Sequence, residues 1–212
     1  MSKNVFLIIG AIGSGKSFIT TKLVQSGLIN SNHPHFISSD RFKKEYFDVP
    51  KTESNPGYRA SDEYFMRHLY YLMRKSQDST LVIEFCPMSR NKIDPLIKIL
   101  KSHSADITSL IVNTSSVNIN VERTNKRNQE PGRDPVSEEK VKKSYDRFIE
   151  YSPLFVDVAD VSYLIDNSSE NYKVLAKIDN HKRTIDRYHA DDISFEWVDR
   201  IINRYRKAKG ND

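Results

Sequence analysis

The feature that most constrains this chain is a glycine-rich segment near its start, with the residues Gly10, Ala11, Ile12, Gly13, Ser14, Gly15, Lys16 and Ser17. The apolar run Val5–Ile9 precedes it, and Phe18–Val24, which can form a helix, follows it. The segment matches the pattern G-x-x-x-x-G-K-[ST], which holds nucleotide phosphates when it joins a strand to a helix. Average residue usage produces such a match by chance in roughly one chain of this length in a hundred. We therefore predict a nucleoside-triphosphate site here.

The chemistry of this loop depends on its backbone. Glycines let the chain turn its N–H groups inward, and the following helix directs its positive dipole end at a phosphate. Lys16 is expected to reach the β- and γ-phosphates, and the Ser17 hydroxyl to ligate Mg²⁺. We also count Phe18, directly after the loop, among the nucleotide contacts.

Composition limits the class of protein. The 212 residues suit one domain with a full core, and no apolar run approaches the length of a membrane span. The single cysteine, Cys86, excludes an internal disulfide and is typical of a reducing compartment, so we expect a cytoplasmic protein without membrane contact. A net charge of +5 suits an anionic ligand such as a nucleotide or a nucleic acid, and a solvated basic surface explains it equally well.

Strand and helix patterns alternate along the chain, which predicts an α/β P-loop NTPase or kinase fold: a five-stranded, mostly parallel sheet flanked by helices. The predicted strands are Val5–Ile9, His35–Ser39, Thr80–Ile83, Ile107–Val112 and Val161–Ile165. We expect three of the helices to begin next to the N-cap residues Ser61, Ser137 and Ser194. The segment Lys43–Tyr58 has no clear period and contains two prolines, so it is expected to be a surface excursion.

The pattern changes after Asn167. Lys173–Asp179 and Arg183–Tyr188 alternate around a short turn, which predicts a hairpin or an added edge ribbon. A final amphipathic helix follows, with Trp197 on its apolar side. We predict a kinase core over residues 1–168 and a small hairpin-plus-helix appendage of the same domain over residues 169–212.

Two carboxylates follow predicted strands, at the sheet edge where open parallel sheets bind ligands. Asp40 can accept the proton of an acceptor hydroxyl as it attacks the γ-phosphorus, or it can be an N-cap. Arg41 and Lys43 can hold an anionic acceptor, or they are simply solvated. Glu84 can bind Mg²⁺ through water or contact the acceptor; alternatively, neighbouring backbone N–H groups satisfy it.

Three arginines lie around a segment that two prolines and a glycine keep irregular. Arg123 and Arg127 share one helix face, and Arg133 follows in the irregular segment. Guanidinium groups on such a lid, about residues 123–136, can close over the triphosphate and neutralise charge that develops during transfer. The alternative is a solvated basic helix end.

With these residues the chain resembles P-loop kinases of the zeta-toxin type over most of residues 5–168. The resemblance is carried by the phosphate loop, Ser39–Phe42, Leu81–Glu84, Arg123–Pro135 and Asp166–Ser168. It implies ATP-dependent phosphorylation of a hydroxyl on a small acceptor, typically a nucleotide-activated amino sugar, and an antitoxin protein as a possible partner.

The resemblance also implies roles for single residues. Lys16 and Ser17 would serve the triphosphate and Mg²⁺, Asp40 would be the base, and Glu84 would contact the acceptor. Arg123 and Arg133 would be the catalytic arginines of the lid. The family's usual Glu-Gly-Thr is Glu84-Phe85-Cys86 here, and its His-Pro after the aspartate is missing.

Two other readings stay open. Polynucleotide 5′-hydroxyl kinases share the phosphate loop, an aspartate followed by basic and aromatic residues, and an arginine-rich lid. The basic charge favours that reading, whereas no aromatic and basic platform for stacking bases can be placed from the sequence. A non-enzymatic ATP-binding switch or interaction module would also use the loop.

Overall fold

A seven-stranded sheet lies at the centre of the computed structural model, which describes residues 3–29, 34–38, 56–75, 80–131, 135–188 and 195–210. The strands are β1 Lys3–Gly10, β2 His35–Ser38, β3 Thr80–Phe85, β4 Ala105–Asn113, β5 Val161–Asp166, β6 Lys173–Asp179 and β7 Thr184–Arg187. The helices are α1 Lys16–Gln25, α2 Pro56–Lys75, α3 Arg90–Lys101, α4 Val117–Asn128, α5 Glu138–Val156 and α6 Glu196–Lys209. None of these helices is long and apolar enough to cross a membrane.

The sheet order is β2-β3-β1-β4-β5-β6-β7. The first five strands are parallel, as predicted, and β6 and β7 are antiparallel to their neighbours. The prediction of five strands was wrong, because the hairpin of β6 and β7 pairs with β5 and adds two strands to the same sheet. An unpaired β5 would expose backbone N–H and C=O groups at the sheet edge, and β6 satisfies them.

Side chains of the parallel strands alternate between two faces, and helices cover both. On β1, Leu7 and Ile9 belong to the larger core cluster, whereas Ile8 belongs to a smaller one with Ile19 and Leu23 of α1. This alternation is the period of two that a strand imposes. A parallel sheet buried on both faces needs apolar residues at every position, as in Val5–Ile9 and Leu81–Ile83.

The C-terminal elements share the larger core. Ala176 and Ile178 of β6 and Ile201 of α6 lie in the same cluster as Leu7. The Trp197 ring meets Phe148 of α5 edge-on, with ring centroids 5.9 Å apart. Residues 173–188 and 195–210 are thus packed into the main body of the fold.

Some of the helices begin at the N-cap residues predicted from the sequence, and others do not. Ser137 caps α5 as predicted, since its Oγ accepts a hydrogen bond from Lys140 N at 3.3 Å. The start predicted near Ser61 was wrong: α2 begins at Pro56, inside the expected surface excursion. Proline is well suited to the first turn of a helix, because its missing N–H has no partner there anyway. Ser194 lies outside the described residues.

Candidate phosphate-binding site

The glycine-rich loop joins β1 to α1 and is shaped by two left-handed residues. Gly13 has a φ of 79° and Gly15 a φ of 87°, which side chains disfavour. A Cβ on Gly13 would lie 2.5 Å from Asn120 O, and one on Gly15 would collide with the Asn167 amide. Glycine is therefore required at both positions by backbone conformation and by close packing.

Lys16 places its charge over this loop. Its Nζ donates to the carbonyl oxygens of Gly10 at 3.0 Å and Ala11 at 2.9 Å. The ammonium group is thus held beside the backbone that the motif assigns to phosphate binding, where it can interact with an anion.

Glu84 joins the loop from the neighbouring strand. Because β3 pairs in parallel with β1, the end of β3 lies beside the start of α1. Glu84 Oε2 accepts a hydrogen bond from Ser17 Oγ at 2.9 Å, and Oε1 accepts one from Thr20 Oγ1 at 2.6 Å. A hydroxyl and a carboxylate oxygen in contact are the hard oxygen donors that Mg²⁺ prefers, so these residues fit that ion.

Thr20 was missed in the sequence. It lies three residues after Ser17, on the same helix face, and this spacing was the only available signal. The Glu84 carboxylate uses both oxygens to hold this face of α1.

Two side chains from other helices hold the tip of the loop. The N–H of Ile12 donates to Ser144 Oγ of α5 at 2.8 Å, and the Ile12 carbonyl accepts from Asn120 Nδ2 of α4 at 2.9 Å. Asn120 is fixed in turn, because its Oδ1 accepts from Thr114 Oγ1 at 2.6 Å. Ser144 and Asn120 are both fully buried. We call this arrangement the Ile12 clasp.

Helix α5 is anchored nearby through Tyr145. Burial raises the pKa of the Tyr145 phenol, which therefore keeps its proton. The hydroxyl donates to the backbone oxygen of Thr114 at 3.2 Å, and Thr114 is the residue whose Oγ1 orients Asn120.

A cavity of about 540 Å³ opens beside the loop. Asn167 forms part of its wall and donates from Nδ2 to Ser14 O at 2.9 Å. Arg123 reaches across from α4 to Ser168 O at 3.4 Å. The residues around the cavity are Gly15, Phe18, Arg123, Asn167, Ser168, Ser169 and Glu170. This volume is typical of a small-ligand site. The cavity brings together two predicted nucleotide contacts, Gly15 and Phe18, and the predicted catalytic Arg123.

The predicted lid is only partly described. Arg127 lies half-buried on α4, one turn after Arg123, whereas Arg133 lies outside the described residues. The loop between α4 and α5 is closed at its base by Asn128: its Nδ2 donates to Val136 O at 2.9 Å, and its Oδ1 accepts from Val136 N at 3.0 Å.

The predicted acceptor residues Asp40, Arg41 and Lys43 also lie outside the described residues. Strand β2 ends at Ser38, which pairs with Glu84. The role of Asp40 as a base therefore stays a prediction.

Several buried polar atoms around the loop have no hydrogen-bond partner among the described residues. They include Ser14 Oγ, Thr124 Oγ1 and Asn167 Oδ1. Leaving such atoms unpaired costs on the order of 1–3 kcal/mol each, so their presence beside the phosphate loop is typical of a site that a ligand or water completes.

Comparison with known proteins places the chain in a family. A family model described as an AAA domain matches residues 5–150. The chain belongs to this AAA domain family. The matched range contains the phosphate loop, Glu84 and the Ile12 clasp. None of the curated proteins compared with the sequence matches it.

Solved structures share the α/β P-loop kinase fold of this AAA domain protein at low identity. The complex of AvrRxo1-ORF1 and AvrRxo1-ORF2 with ATP is 13% identical, with a TM-score of 0.57, over 99% of this chain and 75% of that chain. The PezAT toxin–antitoxin system of Streptococcus pneumoniae is 11% identical, with a TM-score of 0.52, over 99% and 86% of the two chains. A putative kinase from Chloroflexus aurantiacus is 15% identical, with a TM-score of 0.51, over 69% and 80%.

Proposed function

We propose that this protein is an ATP- and Mg²⁺-dependent kinase that transfers the γ-phosphate to a hydroxyl of a small acceptor. The acceptor class is a nucleotide-activated sugar or a nucleotide-like molecule. The observation that carries the proposal is the contact between Ser17 and Glu84, beside an ammonium group that lies over a glycine loop. A nucleotide-binding loop with a carboxylate at its metal position is equipped for phosphoryl transfer.

The donor half uses residues that the structure describes. The backbone of the loop would hold the phosphates, and Lys16 would stabilise negative charge on the β- and γ-phosphate oxygens. Ser17 and Glu84 would hold Mg²⁺, which supplies neutralisation of charge on the phosphates when bound. Arg123, at the wall of the cavity, would contact the nucleotide.

The acceptor half is proposed from the sequence. Asp40 would take the proton from the acceptor hydroxyl as that oxygen bonds to the γ-phosphorus, while the bond to the β–γ bridging oxygen breaks and ADP leaves. Arg41 and Lys43 would hold an anionic acceptor, and Arg127 and Arg133 would close the lid. The pairing of Ser38 with Glu84 supports this assignment, because Asp40 follows Ser38 by only two residues.

The structural relatives support the finer proposal. One was solved with ATP, one is described as a putative kinase, and one is a toxin–antitoxin system. We accordingly propose a zeta-toxin-like activity, an antitoxin protein as a possible partner and a cytoplasmic location.

Transfer of labelled γ-phosphate to UDP-sugars, nucleosides and 5′-hydroxyl oligonucleotides tests this proposal. We expect a labelled UDP-sugar or nucleotide-like product; a labelled oligonucleotide alone would replace the proposal by polynucleotide kinase. Tight ATP binding without acceptor-dependent ADP release would indicate a switch or an interaction module.

Asp40→Asn tests the base assignment in the same assay. It should abolish transfer and leave ATP affinity unchanged, whereas the matched control Asp94→Asn, on the exposed surface of α3, should be fully active. Equal activity of the Asp40 and Asp94 variants would reject Asp40 as the base.

A further inference from the structure

The outer face of α2 carries tyrosines and cations in an unusual order. Tyr64, Arg67, Tyr71 and Lys75 follow one another at spacings of three and four residues, and the pair Tyr70 and Arg74 lies beside them. Residues three or four apart are neighbours on a helix surface. We call these six residues the α2 stripe.

Each tyrosine of the stripe has a cation against its ring. The distance from the ring centroid is 5.8 Å for Arg67 on Tyr64, 5.7 Å for Arg74 on Tyr70 and 5.2 Å for Lys75 on Tyr71. The three tyrosine residues are 53%, 44% and 49% exposed. The Tyr71 ring also stacks loosely on His68, with ring centroids 6.5 Å apart. Exposed aromatic surface and positive charge are therefore combined at three neighbouring positions.

The last turn of α3 adds two lysines near the stripe. His103 meets the Tyr70 ring edge-on, with ring centroids 5.4 Å apart, and the last turn of α3 just before it carries Lys98 and Lys101. At one end of the stripe, Arg67 forms an ion pair of 2.6 Å with the exposed Glu63. Arg74 and Lys75 at the other end carry no ion pair with a described carboxylate.

We infer that the α2 stripe binds single-stranded nucleic acid, with bases stacked on the tyrosine rings and phosphates beside the cations. Aromatic side chains combined with positive charge are the features that bind single strands without sequence preference. Tyr64 and Tyr71 are about 10 Å apart along the helix axis, which is roughly three base-to-base steps of about 3.4 Å in a stacked strand. A duplex keeps its base faces covered, so it does not fit these rings.

Two other partners fit less well. A membrane surface would need an apolar helix face to insert, but the apolar face of α2, with Phe65, Leu69 and Met73, is buried in the core. A protein partner would favour an apolar centre with few charges, whereas every ring here has a cation against it.

The stripe is separate from the phosphate loop. Lys3, the first residue of β1, donates from Nζ to Leu72 O and Met73 O, both at 2.6 Å. The C-terminal part of α2 thus lies near the N-terminal end of β1, whereas the phosphate loop lies at the C-terminal end of the same strand. The inference does not depend on the proposed kinase activity.

Fluorescence anisotropy with a labelled 15-nucleotide oligo-dT strand tests the inference on the full chain. The triple variant Tyr64→Ala, Tyr70→Ala, Tyr71→Ala should lose at least about tenfold in affinity, since stacking on each ring is removed. The matched control is Tyr172→Ala with Tyr188→Ala, two exposed tyrosines elsewhere, and it should bind as the unmodified protein does. Thermal melting checks that all variants are folded.

Two further binding measurements, the dependence on salt and the competition with ATP, complete the test. Arg74→Gln with Lys75→Gln should flatten the dependence of affinity on salt, because fewer phosphate counterions are released. Saturating ATP at constant ionic strength should not displace the strand. The inference is overturned if the unmodified protein fails to bind oligo-dT at low salt, if it binds duplex equally well, if ATP displaces the strand, or if the control loses as much affinity as the triple variant.

Discussion

The two ends of strand β1 use polar groups in opposite ways. At the amino end, Lys3 is almost fully buried, yet its ammonium group is satisfied by two carbonyls of α2. At the carboxyl end, Ser14 Oγ and Asn167 Oδ1 are buried without a partner in the described part of the chain. The amino end thus satisfies its buried polar group within the protein, whereas the carboxyl end leaves buried polar atoms beside the phosphate loop without a partner among the described residues.

Helix direction explains this difference. Helices between parallel strands run back along the sheet, so their positive N-termini lie at the carboxyl edge and their negative C-termini at the amino edge. The start of α1 therefore suits an anion, and the end of α2 suits the cation of Lys3.

The largest expected effect is at the carboxyl end. Lys16→Ala should lower phosphate transfer by about 10²- to 10³-fold, because a charge directed at the transferred group is removed. Lys16 is half-buried, so water can replace its two carbonyl contacts, and the free energy of unfolding should fall by less than in Lys3→Met. Steady-state kinetics and urea denaturation measure both, with Lys142→Ala, an exposed lysine on α5, as control. A kcat equal to that of the control would contradict the proposed role.

A smaller effect is expected at the Ile12 clasp. Ser144→Ala leaves the Ile12 N–H without its acceptor, so the Ile12 clasp loses one of its two hydrogen bonds to the loop. We expect the Kd for ATP to rise about five- to tenfold, equivalent to about 1 kcal/mol. Isothermal titration calorimetry measures this.

Ser152→Ala is the matched control for the clasp. Ser152 is also fully buried on α5, but its Oγ has no hydrogen-bond partner among the described residues. If both variants bind ATP equally, the clasp does not position the loop.

At the amino end the effect should be on stability alone. Lys3→Met leaves the carbonyls of Leu72 and Met73 at the end of α2 without their donor and should lower the free energy of unfolding by about 1–3 kcal/mol. ATP affinity should not change. If Lys3→Met lost ATP affinity but kept its stability, the proposed difference between the two ends of β1 would be wrong.

The smallest effect is the pH dependence that Lys3 confers. Burial lowers the pKa of Lys3 from its usual 10.5. Between the lowered and the usual pKa the unfolded chain binds more protons, so stability should rise with pH in that window. Urea denaturation across this range should show a flatter profile for Lys3→Met than for the unmodified protein.

Local patterns predicted individual elements well. The shared helix of Arg123 and Arg127 and the cap of Ser137 agree with the structure, because a helical period and a cap act over a few residues. The start of α2 at Pro56 was missed, since the prolines and Gly57 were read as loop signals. The pairing of β6 with β5 was left open, because strand partners depend on contacts across the fold.

What the sequence by itself determined is the phosphate loop with Lys16 and Ser17. The loop binds through the backbone of one continuous segment, in which Gly13 and Gly15 adopt left-handed conformations. A short motif is therefore sufficient to specify the loop. Only the tertiary structure decided how the loop is held. Asn120 and Ser144 lie 108 and 132 positions from Ile12, and no local pattern encodes contacts that form only when α4 and α5 pack beside β1.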